Sequence, residues 1–66
     1  MNMRFFDYEH LPDHLQVVSK PFHDLAKMVH QTLQHHRKGI TEEQEMCLRK
    51  LLEAKDCAVR ARIEMD

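Results

Sequence analysis

Glycine and proline are nearly missing from this chain, whose 66 residues include one glycine, two prolines and no tryptophan. A β-sandwich of this size needs more turn residues, so the composition favours an all-α protein. A single glycine also leaves no glycine-rich loop that would cradle a phosphate. No apolar run exceeds three residues, so we expect neither a membrane span nor a signal-peptide core.

The chain also has no excess of charge of either sign, because its ten Lys and Arg nearly balance its eleven Asp and Glu. A net charge of −1 provides no overall field for a polyanion, so we expect no bulk nucleic-acid binding. The balanced charge leaves open the binding of a small anionic ligand in a local pocket. All six histidines lie between positions 10 and 36, so this half of the chain becomes cationic near pH 6.

The two cysteines, Cys47 and Cys57, fall on one predicted helix. Ten residues of helix span about 15 Å, which is too far for a disulfide within the chain. We therefore predict two small buried thiols in a reducing compartment, the cytoplasm. An intermolecular disulfide is the alternative.

The N-terminal segment 1–11 shows no helical period and is predicted to be an extended arm or a short strand. It carries three of the four aromatic residues, Phe5, Phe6 and Tyr8. These rings either cap the core of the same or a neighbouring chain, or one of them, Tyr8, stacks on a flat ligand such as a nucleobase.

A first helix is predicted over residues 12–38, kinked at Pro21 and ended by a Gly39 cap. Its predicted core seam consists of apolar residues three or four positions apart: Leu11, Leu15, Val18, Phe22, Leu25, Val29 and then Thr32 or Leu33.

A second helix is predicted over residues 42–64, and Thr41 to Gln44 read as a capping box at its start. Because the connection is short, the two helices should form an antiparallel hairpin, a single domain over residues 1–66. The second helix carries two apolar stripes. The first consists of Leu48, Leu52, Val59 and Ile63, and the second of Cys47, Leu51, Ala54, Ala58 and Ala61, with Cys57 and Met65 nearby.

A hairpin needs only one of these stripes to cover its partner helix, so the second predicts a symmetric homo-oligomer. A chain this short also buries only about 60% of its unfolded surface and needs a disulfide, a metal or a partner for stability.

Catalytic and metal-binding patterns are missing from the sequence. No nucleophile–base pair and no pair of carboxylates in an apolar setting is apparent, so we expect no enzyme and no cofactor. His10 and His14 would give a metal at most two ligands, and we predict no metal site.

Lys55 and Arg62 lie multiples of seven from Leu48. Their stems either snorkel along the apolar sector, or several copies join them into a cationic pocket for a phosphate.

The segment 49–62, RKLLEAKDCAVRAR, resembles the second helix of a family of phage helical hairpins. That helix typically reads Lys-Leu-x-Glu-Ala, followed by two further alanines. The first helix is similar to the family's Leu-Ala segment at Leu25 and Ala26. The matching residues of the second helix are Lys50, Leu51, Glu53, Ala54, Ala58 and Ala61.

The family comprises the phage anti-CBASS and anti-Thoeris sponge proteins. The resemblance implies sequestration, in the host cytoplasm and without catalysis, of a cyclic di- or trinucleotide or a cyclic ADP-ribose-type signal. It also implies a symmetric oligomer, often a hexamer, with ligand pockets between chains. The alternative is a small oligomerisation or protein-interaction module with no nucleotide ligand.

The family's aromatic near the start of the first helix corresponds in placement to Tyr8. Its Arg and Lys on that helix fall at Ser19 and His23 here, where Lys20 or Lys27 would compensate. The family's lysine on the second helix is kept as Lys50. With the two cations of the apolar sector, the candidate ligand-binding residues are Tyr8, Ser19, His23, Lys27, Lys50, Lys55 and Arg62.

Overall fold

A computed structural model describes residues 2–33 and 41–65 of the chain. Within these ranges it contains a short 3-10 helix, Met3–Phe6, then α1, Asp13–Leu33, and α2, Glu42–Met65, and no strand. The predicted all-α, two-helix architecture is thereby confirmed. Neither helix in the described ranges combines the length and apolarity that crossing a membrane would require.

The two helices run antiparallel. Leu11, just before α1, shares a cavity wall with Val59 and Arg60, which lie near the end of α2. The start of one helix therefore lies beside the end of the other, which is the arrangement predicted from the short connection.

The capping box at the start of α2 is confirmed. The Thr41 amide donates to Oε1 of Gln44 at 2.6 Å, and the Gln44 amide donates to Oγ1 of Thr41 at 3.2 Å. These reciprocal bonds satisfy two backbone donors that no intrahelical carbonyl can reach. As a result, α2 begins at Glu42 as predicted, and it ends at Met65, one residue beyond the predicted end.

The helix α1 starts at Asp13, one residue after the predicted start, and passes through Pro21 without a break. The amides of Leu15 and Gln16 donate to the Pro12 carbonyl at 2.9 and 3.0 Å, which fixes its first turn. Pro21 and Val17, four residues earlier, are both exposed, so the bond that proline cannot make lies on the solvent side. The predicted remainder, 34–38, and the Gly39 cap lie outside the described residues.

The prediction of an extended arm is wrong for the segment Met3–Phe6, which forms a 3-10 turn. Oδ1 of Asn2 accepts from the Arg4 amide at 2.9 Å and caps this turn. On α2, Nζ of Lys55 donates to the Phe5 carbonyl at 3.0 Å. Because the chain turns here, the Phe5 carbonyl faces α2 while the next side chain, Phe6, enters the space between the helices.

The core of the hairpin is small. Phe6 and Ala26 are 0% exposed and Leu48 is 2% exposed, and these three form one cluster. One residue therefore comes from each element: the arm, α1 and α2. The partly buried residues around this cluster are Met3, Phe22, Val29, Leu51 and Leu52.

The core seam predicted for α1 is off by one position at two points. Ser19 and Ala26 are fully buried, whereas Leu25 is 46% exposed and the neighbouring Val18 is only half-buried. The small side chain of Ala26 leaves room for the Phe6 ring, with which it packs, and a leucine at the same place would fill that room. Leu33, also assigned to the seam, is exposed.

Two further burial predictions on α2 are wrong for the single chain. The thiols of Cys47 and Cys57 are exposed rather than buried. Ile63, assigned to the first apolar stripe, is 52% exposed. The second stripe is covered only in part within the described chain: Leu51 packs against the core cluster, whereas Cys47, Ala54 and Ala61 are exposed.

Ser19 yields a stability prediction, because its buried Oγ has no hydrogen-bond partner among the described residues. A buried unpaired hydroxyl costs about 1–3 kcal/mol, and alanine is the best helix former. We expect Ser19→Ala to raise the free energy of unfolding in urea by about 1 kcal/mol. Thr32→Ala, at an exposed position of the same helix, measures the helix-propensity share alone. A decrease for Ser19→Ala would show that the hydroxyl is paired.

Candidate functional site

The residues Tyr8 and His23 meet where the arm crosses α1. Their ring centroids lie 5.0 Å apart with an interplanar angle of 67°, an edge-on contact. The Leu11 amide donates to the Tyr8 carbonyl at 3.0 Å, and this turn holds Tyr8 just before the helix. Nδ1 of His23 also lies 3.1 Å from Oδ1 of Asp24. Both rings are thus positioned by the fold, and both are only partly buried.

A cavity of about 260 Å³, the Tyr8 cavity, lies beside these rings. Its polar groups are of mixed character, with two carboxylates, two imidazoles and one phenol. The walls are formed by Asp7, Tyr8, Glu9, His10 and His23.

A groove of about 460 Å³, the Arg4–Lys27 groove, is also lined by His23. It carries two permanent cations and two imidazoles against one carboxylate, Asp7. The residues that line it are Asn2, Met3, Arg4, Asp7, His23, Lys27, His30 and Gln31. Asp7 and His23 line both cavities, so the two cavities adjoin.

Lys20 and Asp24 form an ion pair one helical turn apart on α1, with Nζ and Oδ2 separated by 2.7 Å. The hydrogen bond from Lys20, followed by the contact with His23, holds the pKa of Asp24 below its ordinary value. The same pairing raises the pKa of Lys20. Lys20 is therefore paired rather than a free cation of the site.

The lowered pKa of Asp24 gives a pH prediction. A carboxyl with a lowered pKa stabilises the fold above its ordinary value of 3.8, and this contribution is lost as pH falls through the lowered pKa. In a titration followed by NMR we expect Asp24 to titrate below 3.8 in the wild type. Lys20→Gln should bring that pKa closer to the ordinary value. An Asp24 pKa that does not respond to Lys20→Gln would contradict the pairing in solution.

Lys55 is held by contacts within the chain. Only 13% of its side chain is exposed, and Nζ lies 3.2 Å from Oδ1 of Asp56 in addition to its bond to the Phe5 carbonyl. This matches the snorkelling alternative, with the stem packed and the charged end at the rim. Arg62, seven residues further on, is half-buried.

The structure brings together three of the seven predicted ligand-binding residues: Tyr8, His23 and Lys27, at the arm and α1. Ser19 is fully buried in α1. The other three, Lys50, Lys55 and Arg62, lie on α2, with Lys50 exposed.

Arg4 and Asp7 are lining residues that were not predicted from the sequence, because they reach the site only after the arm folds into a turn against α1. His23 and His30 are seven residues apart, which places both imidazoles on one flank of α1, and both line the Arg4–Lys27 groove.

No set of three or more His, Cys, Asp or Glu side chains in the described part of the chain is arranged to hold a metal ion.

No protein-family model matches this chain, and neither a curated protein nor a solved structure does so. The site is therefore interpreted from its own geometry and charges.

Proposed function

We propose that this chain is a phage anti-defence protein that captures a cyclic oligonucleotide immune messenger in pockets between subunits, without catalysis. The observation that carries the proposal is the grouping of an aromatic ring with basic side chains, Tyr8 beside His23 and Lys27. A cyclic nucleotide combines flat bases with anionic phosphates, and these are the groups that such rings and cations bind.

The burial pattern supports assembly into a homo-oligomer, a hexamer in the family that the chain resembles. Only four apolar side chains are buried among the described residues, which is little for a stable domain. Large apolar side chains stay exposed on α1, including Val17 at 72% and Met28 at 62%. A second copy of the chain would cover such surface and supply the missing burial.

Symmetric assembly also explains how so small a chain would hold a ligand with several charges. Each copy needs to supply only one ring and one or two cations, because the symmetry of the oligomer multiplies them. Lys50, Lys55 and Arg62 are predicted to bind phosphate only in the assembled oligomer. There, these α2 cations from neighbouring copies would converge on one phosphate.

A capture and release experiment tests sequestration. The purified protein is incubated with cyclic di-AMP, cyclic tri-AMP or cyclic ADP-ribose, freed of unbound nucleotide and then denatured by heat. We expect one of these nucleotides to be retained and then released intact, as seen by chromatography and mass spectrometry. A linear or hydrolysed product would indicate an enzyme and contradict the proposal.

The second candidate is an interaction module that binds no nucleotide. It is favoured by the exposed small residues of α2, Cys47, Ala54 and Ala61, because small side chains let another helix approach closely. For such a module we expect an oligomer by light scattering together with no retained nucleotide in the capture experiment.

A further inference from the structure

The face of α1 opposite its buried side carries large apolar side chains. Val17 is 72% exposed and Met28 is 62% exposed, and Pro21 between them is exposed as well. Because an α-helix turns by about 100° per residue, these three residues lie within roughly 40° of one another around the helix axis. Leu25, which is 46% exposed, lies at the edge of the same face. The four residues Val17, Pro21, Leu25 and Met28 are called the outer stripe of α1.

The outer stripe is symmetric about its own midpoint. Val17 and Met28 are equally far from a point between residues 22 and 23, and Pro21 and Leu25 are equally far from residue 23. If a second copy is turned by 180° about this point, its α1 lies antiparallel to the first. The partner's Met28 then faces Val17, and the partner's Leu25 faces Pro21. Such an interface uses the same surface of both copies and makes every contact twice, so the outer stripe is complementary to itself.

The charges beside the outer stripe follow the same symmetry. Lys20 and Asp24 lie along one edge of the stripe, and both are equally far from residue 22. Their side chains are 54% and 51% exposed, and they pair with each other within one chain. In an antiparallel pair the same edges of the two helices meet, so Lys20 lies beside the partner's Asp24 and Asp24 beside the partner's Lys20. Two surface ion pairs thereby become a network of four alternating charges, which contributes more than an isolated surface pair.

A cavity of about 240 Å³, the Val17 cavity, lies beside the outer stripe. Because the partner's Met28 faces Val17, its side chain is the one that would enter this cavity. Methionine is unbranched and fills irregular apolar gaps, and its sulfur makes favourable contacts with aromatic rings such as that of Tyr8. The residues that line the cavity are Tyr8, Asp13, Gln16, Val17 and Lys20.

We propose that two copies of this chain dock antiparallel through the outer stripe of α1, about a two-fold axis, with each Met28 seated in the partner's Val17 cavity. The inference rests on the proposed function, whose homo-oligomer it gives a defined interface. The sequence pattern alone points to the second stripe of α2 instead. That stripe exposes only small side chains, Cys47, Ala54 and Ala61, which remove less apolar area from water than the larger side chains of α1.

The interface also reaches the candidate site. Tyr8 lines both the Tyr8 cavity and the Val17 cavity, so a partner docked on α1 contacts the same ring that the candidate site uses. Each copy therefore contributes Met28 to the surroundings of the other copy's site. Docking through α1 brings the two candidate sites into one assembly.

Light scattering and analytical ultracentrifugation of the full chain test the apolar half of the interface. Met28→Glu places a carboxylate opposite Val17, where docking would bury it without a partner. We expect this variant to self-associate at least about tenfold more weakly than the wild type. Met65→Glu is the matched control, because it makes the same change at a methionine of α2 that is 79% exposed. It should keep the molar mass of the wild type, and circular dichroism should show that both variants keep their helices.

Two charge variants test the polar half. Lys20→Glu makes the edge of the stripe acidic and Asp24→Lys makes it basic, so like charges meet across the two-fold axis in either variant alone. We expect each to self-associate at least about tenfold more weakly than the wild type. Mixed in equal amounts, the two should form mixed dimers with an affinity within about threefold of the wild type, as seen by native mass spectrometry. Mixing cannot restore the ion pair within a chain, so this rescue reports only the contact between copies.

The outcomes separate this interface from the proposed function. If Met28→Glu keeps the molar mass of the wild type, or the mixed charge variants associate no better than either alone, the α1 interface is wrong, while retention of a nucleotide in the capture experiment still supports sequestration. If the α1 variants behave as predicted and no cyclic nucleotide is retained, the interface stands and sequestration is wrong. A monomeric wild type would overturn both the interface and the homo-oligomer.

Discussion

Replacing Phe6 with alanine is expected to lower the free energy of unfolding by about 3–5 kcal/mol. The Phe6 ring is 0% exposed and packs with Ala26 and Leu48 in the cluster that joins the arm to both helices. Its removal deletes the largest side chain of that cluster and leaves a cavity that helices fixed by their own hydrogen bonds cannot fully close. Because domains of this size have little stability to lose, the variant should be largely unfolded at 37 °C.

Urea denaturation followed by circular dichroism measures this effect, and the neighbouring phenylalanine provides a matched control. Phe5 is 58% exposed, and its bond to Lys55 uses the backbone carbonyl, so Phe5→Ala keeps that bond. We expect Phe5→Ala to stay within about 0.5–1 kcal/mol of the wild type. Equal and small effects for both variants would show that the arm is not part of the core in solution.

Replacing Tyr8 with alanine is expected to weaken nucleotide binding by about 5- to 150-fold, the range found when a stacked aromatic ring is removed. The ring forms a wall of the Tyr8 cavity and makes the edge-on contact with His23. Its loss therefore removes a base contact and also frees the imidazole beside it. Titration calorimetry with the nucleotide retained in the capture experiment gives the affinity.

Tyr8→Phe separates the ring from its hydroxyl. It keeps the aromatic face, so we expect its affinity to stay within about threefold of the wild type if stacking is the main contribution. Urea denaturation of both variants shows whether the fold is kept. Unchanged affinity in a folded Tyr8→Ala protein would contradict the stacking role.

Local patterns of the sequence were sufficient to predict most of the fold. The capping box from Thr41 to Gln44 involves residues three positions apart, so it depends on nothing outside its own turn. The continuation of α1 through Pro21 could be predicted because the apolar spacing is the same on both sides of it. The antiparallel course then followed from the short connection.

Contacts between distant segments could not be predicted in the same way. Phe6 lies 42 positions before Leu48 in the chain, and no local spacing shows that its ring fills the space over Ala26. That ring packs on the small side chain of Ala26, which is buried while the neighbouring Leu25 is exposed. The core seam predicted for α1 is therefore shifted by one position, because the spacing of apolar residues along α1 carries no information about the Phe6 ring that packs on it.

The same limit applies to the candidate site. Tyr8 and His23 could be singled out as an aromatic residue and a possible donor near the start of α1. Arg4 and Asp7 were missed, because they line the cavities only after the arm turns back on the helix. Lys55 was recognised as a charge within an apolar sector, but its bond to the Phe5 carbonyl spans 50 positions.

The most direct test of sequestration is a calorimetric titration of the purified protein with cyclic di- and trinucleotides and cyclic ADP-ribose isomers. Thermal shift on the same samples provides a second readout, since a ligand that binds only the folded state raises the midpoint of unfolding. We predict that at least one of these nucleotides binds reversibly, with a Kd of about 1 µM or lower. An intact oligomer that binds none of them would contradict sequestration and favour the interaction module.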